Sequence, residues 1–146
     1  MNNIQLPINN QDFIKKLIPQ RNPIIMVDAI FDYKKNNVVG GLTIKNDLIF
    51  VENNEFKEAG ILEHMAQTVA LYTGYQYYIK QLQAPTGYIG SMKSIEIFRS
   101  PKVNENLVTT ATILHEVMGV TLVKIETKIK DEVIAKGEMK TVIVET

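Results

Sequence analysis

The stretch Gly60-Ile61-Leu62-Glu63-His64-Met65-Ala66-Gln67-Thr68 sets one carboxylate in an otherwise apolar helical run. Glu63 and Gln67 are four residues apart and share a helix face, which Ala70 and Gly74 continue. That face reads acid, amide, then two small residues that let another surface approach. Burial in an apolar wall raises a carboxyl's pKa and lets it exchange a proton near neutral pH, which is general acid chemistry. The plain alternative is a first-turn glutamate favoured by the helix dipole. His64 adjoins Glu63, but successive helix residues point ~100° apart. Both reach one pocket only at a seam where a partner crosses the helix; otherwise His64 is a hydrogen-bonded interface histidine. His115, mid-strand beside Glu116, stands in no motif and reads as structural. Glu55 and Glu58 are loop carboxylates, available as bases but in a polar setting that favours solvation.

The elements that must position these groups follow from periodicity. Asp12 to Leu17 reads as a short helical turn ended by Pro19. Ile24 to Tyr33 and Val38 to Ile44 read as strands around an Asn36-Asn37 turn. Asn46 to Lys57 is polar around an apolar Leu48-Ile49-Phe50-Val51 knot and reads mostly as loop. Ala59 to Lys80 is the one long helix, ~30 Å at 1.5 Å per residue. Leu62, Met65, Ala66, Val69 and Ala70 recur at helical spacing, and Leu71, Tyr72, Tyr75, Tyr77 and Tyr78 make it apolar nearly all round. Gln81 to Gly87 breaks it. Tyr88 to Phe98, Asn106 to Glu116, Val120 to Lys130 and Val133 to Val144 then read as four strands whose short turns demand antiparallel pairing. Ile125, Thr127 and Ile129 alternate with Lys124, Glu126, Lys128 and Lys130, a strand with one wet face. The predicted class is α+β: an antiparallel sheet wrapped around one long central helix. One sheet covers only one side of such a helix, so a second sheet from a second copy of the chain is expected on the other, and with it a dimer.

Bulk properties narrow the function classes. A length of 146 residues points to one domain, residues 1–146. The absence of cysteine removes disulfides, thiolate chemistry and zinc held through sulfur. Two histidines far apart in sequence argue against a histidine-rich metal site. Sixteen basic and sixteen acidic residues cancel, giving no electrostatic reason to bind nucleic acid or an anionic membrane. Met1 to Gln11 lacks the basic-then-apolar order of a signal peptide, and no apolar run is long enough to span a bilayer. A cytoplasmic protein is the expectation.

Three segments carry a resemblance. Leu17-Ile18-Pro19-Gln20-Arg21-Asn22-Pro23-Ile24-Ile25-Met26-Val27-Asp28 is similar to an L-x-P-H-R-x-P-x-L-x-V-D opening. Gly60-Ile61-Leu62-Glu63-His64-Met65-Ala66-Gln67 is similar to G-V-L-x-x-E-A-M-A-Q. Tyr88-Ile89-Gly90-Ser91-Met92-Lys93-Ser94-Ile95-Glu96-Ile97-Phe98-Arg99-Ser100-Pro101 is similar to Y-x-x-G-x-x-x-x-x-F-R-x-P. In this order they resemble the hotdog-fold 3-hydroxyacyl-acyl-carrier-protein dehydratases, and most closely the divergent branch that accompanies aryl-polyene and flexirubin pigment pathways.

The resemblance implies a dimer with two long helices surrounded by joined sheets and active sites at the subunit interface. One subunit supplies the helix acid and the other a histidine. The substrate is a 3-hydroxyacyl chain on an acyl carrier protein, delivered by a phosphopantetheine arm, and no metal or bound cofactor is used. By position, Glu63 matches the acid and Gln67 the motif glutamine, with His64 the nearest imidazole. Met65, Val69, Tyr88, Ile89 and Gly90 are the expected pocket lining. Arg21, Arg99 and Lys102 are the basic residues expected to meet an acidic carrier protein. The chain departs from the family at one point: the G-H-F-P loop ahead of the helix. Asn46 to Ala59 holds no histidine, glycine or proline, and the histidine position falls near Asn53, whose amide is too weakly basic to act as a base. The expected function is dehydratase-like, with the base unidentified and enzymatic activity of the chain alone open. The alternatives are a non-catalytic hotdog subunit that pairs with and supports a catalytic chain, and an acyl thioesterase; the assembly is expected to be a homodimer or a heterodimer with another hotdog chain.

Overall fold

The computed structural model describes residues 5–144, so the first four residues of the polar N-terminal stretch lie outside the described residues. Asn10 caps helix α1, Gln11–Leu17, by accepting from the backbone N–H groups of Asp12 at 2.8 Å and Phe13 at 3.3 Å. Strands β1, Ala29–Lys34, and β2, Asn37–Thr43, form a tight hairpin. A short ladder follows, β3 (Val51–Glu52) with β4 (Glu55–Phe56). Its turn runs through Asn53 and Asn54 at φ 51° and 66°, the left-handed geometry that asparagine tolerates in hairpins. Helix α2 spans Glu58–Ile79 and closes where Gln81 turns left-handed and Leu82 N–H reaches the Tyr77 carbonyl. Strands β5 (Thr86–Ile97), β6 (Asn106–Val117), β7 (Val120–Ile129) and β8 (Glu132–Val144) complete the chain.

Six strands form one antiparallel sheet in the order β1-β2-β6-β7-β8-β5. The sheet curls over α2, as the all-round apolar character of the helix predicts. Sheet and helix approach closely at Gly40: a Cβ there would lie 3.1 Å from Leu71 Cδ1 and 3.2 Å from Thr68 Cγ2. Ile30, Val38, Leu107, Ala111, Val123, Ile125, Ile134 and Met139 from the sheet enclose Ile61, Met65 and Leu71 of α2. In β7 the alternation holds, with Val123, Ile125, Thr127 and Ile129 inward.

Two expectations change. Ile24 to Asp28 lies outside any strand, with Ile24 in the bend after Pro23, so β1 begins at Ala29. Much of its backbone bonds to side chains of α2, as described below. The region from Asn46 to Lys57, expected to be mostly loop, contains the β3–β4 ladder.

The sheet leaves one stripe of α2 half-buried: Glu63, Ala66, Ala70, Thr73 and Tyr77, spaced three or four residues apart. It also leaves β5 at its edge, exposed from Thr86 to Ser94. No helix among the described residues is long and apolar enough to cross a membrane.

The contact between α1 and α2 hangs on Gly74, where a Cβ would overlap the Leu17 carbonyl. Gly74→Ala therefore destabilises the fold by about 2 kcal/mol, despite the better helix propensity of alanine, because a backbone carbonyl cannot yield as a side chain does. Urea denaturation measures this; a stability equal to or above wild type would show that the two helices separate at no cost.

Candidate active site

Gln67 is fully buried on α2 and binds the segment before β1. Its Oε1 accepts from the Met26 N–H at 2.6 Å, and its Nε2 donates to the Ile24 carbonyl at 2.9 Å. The same nitrogen donates to Glu63 Oε1 at 2.9 Å, one turn back along the helix. The shared face read from the sequence is thus a direct contact. Glu63 is half-buried, its carboxylate held on one oxygen and its residue opening onto the uncovered stripe of the helix. Such a carboxyl is oriented and accessible at once, which is what a proton donor requires.

His64 points the other way. It is fully buried, with Nδ1 2.6 Å from the Met26 carbonyl and Nε2 2.8 Å from Thr109 Oγ1. A carbonyl only accepts, so Nδ1 carries the proton. Burial drives the imidazole pKa down to about 4, with the Met26 carbonyl pulling weakly upward, so the ring is neutral near pH 7. The Nε2 lone pair then accepts from the Thr109 hydroxyl, and Thr109 in turn accepts from Thr127 at 2.7 Å. Both nitrogens are occupied, and no lone pair remains for a substrate proton. The geometry gives His64 the role of a hydrogen-bonded core histidine. The sequence marks Thr127 only as one of the residues that alternate with the charged face of its strand, and gives Thr109 no role. Their signal was a polar residue in an inward slot of an alternating strand, between Leu107 and Ala111 and between Ile125 and Ile129.

The other expected lining residues divide. Val69, Tyr88 and Ile89 line a cavity of about 340 Å³ that runs beside α2 from Ala66 to Tyr77. Met65 is fully buried in the core, and Gly90 lies at an irregularity of the edge strand; neither lines that cavity. A second cavity of about 340 Å³ is bounded by Asn22, Asp28, Thr43, Lys45 and Asp47. There burial raises the Asp28 carboxyl, while the Thr43 N–H at 2.9 Å and Lys45 pull it down.

The basic residues are differently engaged. Arg99 makes a two-pronged pair with Glu105, both contacts 2.9 Å, and its Nε meets Glu132 at 2.9 Å. The guanidinium holds Glu105 down to about 2, so the charge of Arg99 is already answered within the fold. Arg21 is exposed, but its Nη1 donates to the carbonyls of Ile18 at 2.9 Å and Gln20 at 2.8 Å. Lys102 is exposed, and its backbone N–H donates to Glu105 at 2.7 Å. Glu58 and His115 are exposed, while Glu55 is half-buried and lies 3.9 Å from Lys57.

The buried imidazole makes stability depend on pH. Unfolded, it titrates near 6.5; folded, at about 4. The unfolded chain alone takes the proton in between, so stability is full above pH 6.5 and falls as pH drops toward 4, by about 3 kcal/mol in all. Thermal melts from pH 7 to 4 should show this slope, and His64→Gln, which cannot titrate, should flatten it. Equal slopes in both proteins would place the titration elsewhere.

The family model described as ApeP-like, ApeP dehydratase, matches residues 13–145. No curated protein matches the chain. Among solved structures, the dehydratase heterocomplex ApeI:P from Xenorhabdus doucetiae is similar with a TM-score of 0.85 and 14% identity, over 98% of this chain and 94% of that chain. An uncharacterised protein, PH1136 of Pyrococcus horikoshii, gives 0.70 at 14% identity over 97% of each chain. A hypothetical thioesterase from Streptococcus pneumoniae, solved with coenzyme A, gives 0.66 at 11% identity over 80% of this chain and 85% of that one. At such identities the structural matches establish the hotdog fold alone.

Proposed function

Because the chain belongs to the ApeP-like dehydratase family, we propose that it is the acid-bearing subunit of a 3-hydroxyacyl-thioester dehydratase whose base comes from a second hotdog chain. The observation that carries this reading is the division of labour on α2. Glu63 is oriented by Gln67 and accessible, whereas the adjacent imidazole of His64 is buried with both nitrogens occupied. The loop ahead of the helix holds no other imidazole.

The reaction removes the C2 proton of the thioester and expels the C3 hydroxyl as water, leaving a 2-enoyl thioester. Glu63 protonates the departing hydroxyl. A histidine in the partner's own loop removes the C2 proton. The exposed edge strand β5, where Tyr88, Ile89 and Met92 are all exposed, and the half-buried stripe of α2 support pairing on this side. Joining two sheets there brings the partner over Glu63 and completes one site per heterodimer. The ApeI:P structure, a complex of two chains in its own description, supports such pairing. The substrate is an acyl chain on a carrier protein in a polyene-pigment or fatty-acid-like pathway, and Lys102 and Arg21 remain the exposed cations for carrier contact.

The test is mass spectrometry of a 3-hydroxyacyl carrier protein incubated with the chain alone, with a histidine-bearing hotdog partner, and with the pair carrying Glu63→Gln. The chain alone should turn over weakly or not at all, and the pair should dehydrate. Glu63→Gln should slow the pair by roughly 10²–10⁴-fold, the usual cost of a lost general acid. Robust dehydration by the isolated chain would overturn the division of roles. Full turnover by the variant pair would remove Glu63 as the acid. Release of the free acyl acid instead would mark a thioesterase.

A further inference from the structure

One row of residues across the sheet, on the wall of the cavity beside α2, is polar where its neighbours are apolar. Glu116 of β6 stands opposite Thr121 of β7, Thr121 opposite Thr141 of β8, and Thr141 opposite Ile89 of β5. All four line the cavity. The next row toward the core is Ile113, Val123 and Met139, and on the other side the next inward residue of β8 is Ile143. Inward slots of a sheet normally take apolar residues, so three polar side chains abreast call for a partner in the space they face.

The chain itself supplies none. Among the described residues neither the Thr121 nor the Thr141 hydroxyl makes a hydrogen bond, and neither oxygen is sealed: the one buried side-chain N or O atom closed off without a partner is Gln20 Oε1. Thr121 is only 8% exposed and lies against the cavity, so its hydroxyl opens on that space. No cation among the described residues lies within ion-pair distance of Glu116. Burial, then Tyr33 and the Glu116 carboxylate, push the Tyr72 phenol up, which sets Glu116 within electrostatic reach of Tyr72 on the facing helix. The Tyr72 hydroxyl is no donor for this row, because it is given to the Lys35 carbonyl. Tyr72 stands nine residues along α2 from Glu63, ~14 Å at 1.5 Å per residue. An extended chain covers that span in roughly a dozen bonds at ~1.2 Å each.

We infer that Glu116, Thr121 and Thr141 form a subsite for a hydrogen-bond donor, an O–H or N–H group, carried by the thioester-linked chain roughly a dozen bonds from the carbon that Glu63 serves. The inference rests on the acyl-thioester reading above. The carboxylate accepts from a donor and repels an anion, and the two hydroxyls turn to suit the bound group. Two sources supply such a donor: a hydroxyl at the far end of the acyl chain, or an amide of the pantetheine arm.

Calorimetric binding of non-hydrolysable thioether analogues to the chain paired with its histidine-bearing hotdog partner separates them. Three analogues are acyl chains of equal length on pantetheine, ending in a methyl, a hydroxyl or a carboxylate. The fourth is the methyl-ended chain on a short alkyl thioether without amides. Thr121→Val with Thr141→Val keeps both shapes and removes both hydroxyls. Where the acyl end is the donor, wild type binds the hydroxyl-ended analogue about ten-fold more tightly than the methyl-ended one, and the double variant loses most of that preference. The carboxylate-ended analogue then binds wild type most weakly of the three, and Glu116→Gln narrows its deficit. Where the arm is the donor, the double variant weakens all three pantetheine analogues about ten-fold and leaves the amide-free one unchanged. The melting temperature of the double variant should equal or exceed that of wild type, since no hydrogen bond within the chain is lost. Unchanged affinity of the double variant for all four analogues overturns the inference. A marked fall in its melting temperature also overturns it, because the hydroxyls would then have their partners within the protein assembly. If no analogue binds wild type, the acyl-thioester reading fails and takes this inference with it.

Discussion

Gln67 uses its whole amide to join parts of the chain that are far apart in sequence: Oε1 to Met26, Nε2 to Ile24 and to Glu63. His64 adds a bond from the other side, to the Met26 carbonyl. Together they take up the Met26 N–H and the carbonyls of Ile24 and Met26, before Asp28 N–H reaches the Gly41 carbonyl of β2. Each such bond contributes only about 1 kcal/mol net, but an orphaned buried group costs about 1–3 kcal/mol, so none of the participants can be lost singly without penalty. The segment before β1, the helix and the acid are held in one arrangement by this small polar cluster inside an apolar core.

The cluster also sorts two neighbouring residues into opposite kinds of work. Glu63 and His64 differ by one position and so by ~100° around the helix. The turn places the carboxylate toward the uncovered stripe and the imidazole against Thr109 of β6. Burial then keeps the imidazole neutral, and the direction of every proton from Met26 to Thr127 follows from one carbonyl that can only accept. A charged imidazole here would break that order, because Nε2 would become a donor and could no longer accept from Thr109.

The sheet makes its own contribution by what it leaves bare. Six strands cover the side of α2 that carries Ile61, Met65, Thr68 and Leu71, and stop at β5. Tyr88 is 60% exposed there, beside a cavity whose opposite wall is the helix. An exposed edge strand with apolar side chains, on the same molecule as a half-buried, oriented carboxylate, leaves surface that a second chain can cover. Arg99 takes no part in this: Glu105 and Glu132 fix it as a clamp between the strand ends.

Local pattern alone determined the large elements. Helical spacing and the break at Gln81 to Gly87 placed α2 within one residue at each end, and alternation placed β7 with its correct inward face. The i, i+4 relation put Glu63 beside Gln67, because helix geometry is local. Tertiary structure decided what depends on partners distant in sequence. A helix apolar nearly all round has no phase, so nothing in its residues told that Met65 faces the core while Val69 also borders the cavity. The neutrality of His64 depends on Met26 and Thr109, both remote along the chain, and the answered charge of Arg99 on Glu105 and Glu132. Ile24 to Asp28 has strand-forming residues, yet helix side chains take backbone bonds that a neighbouring strand would have used. Propensity is a property of a residue and its neighbours, whereas hydrogen-bond satisfaction and burial belong to the packed whole.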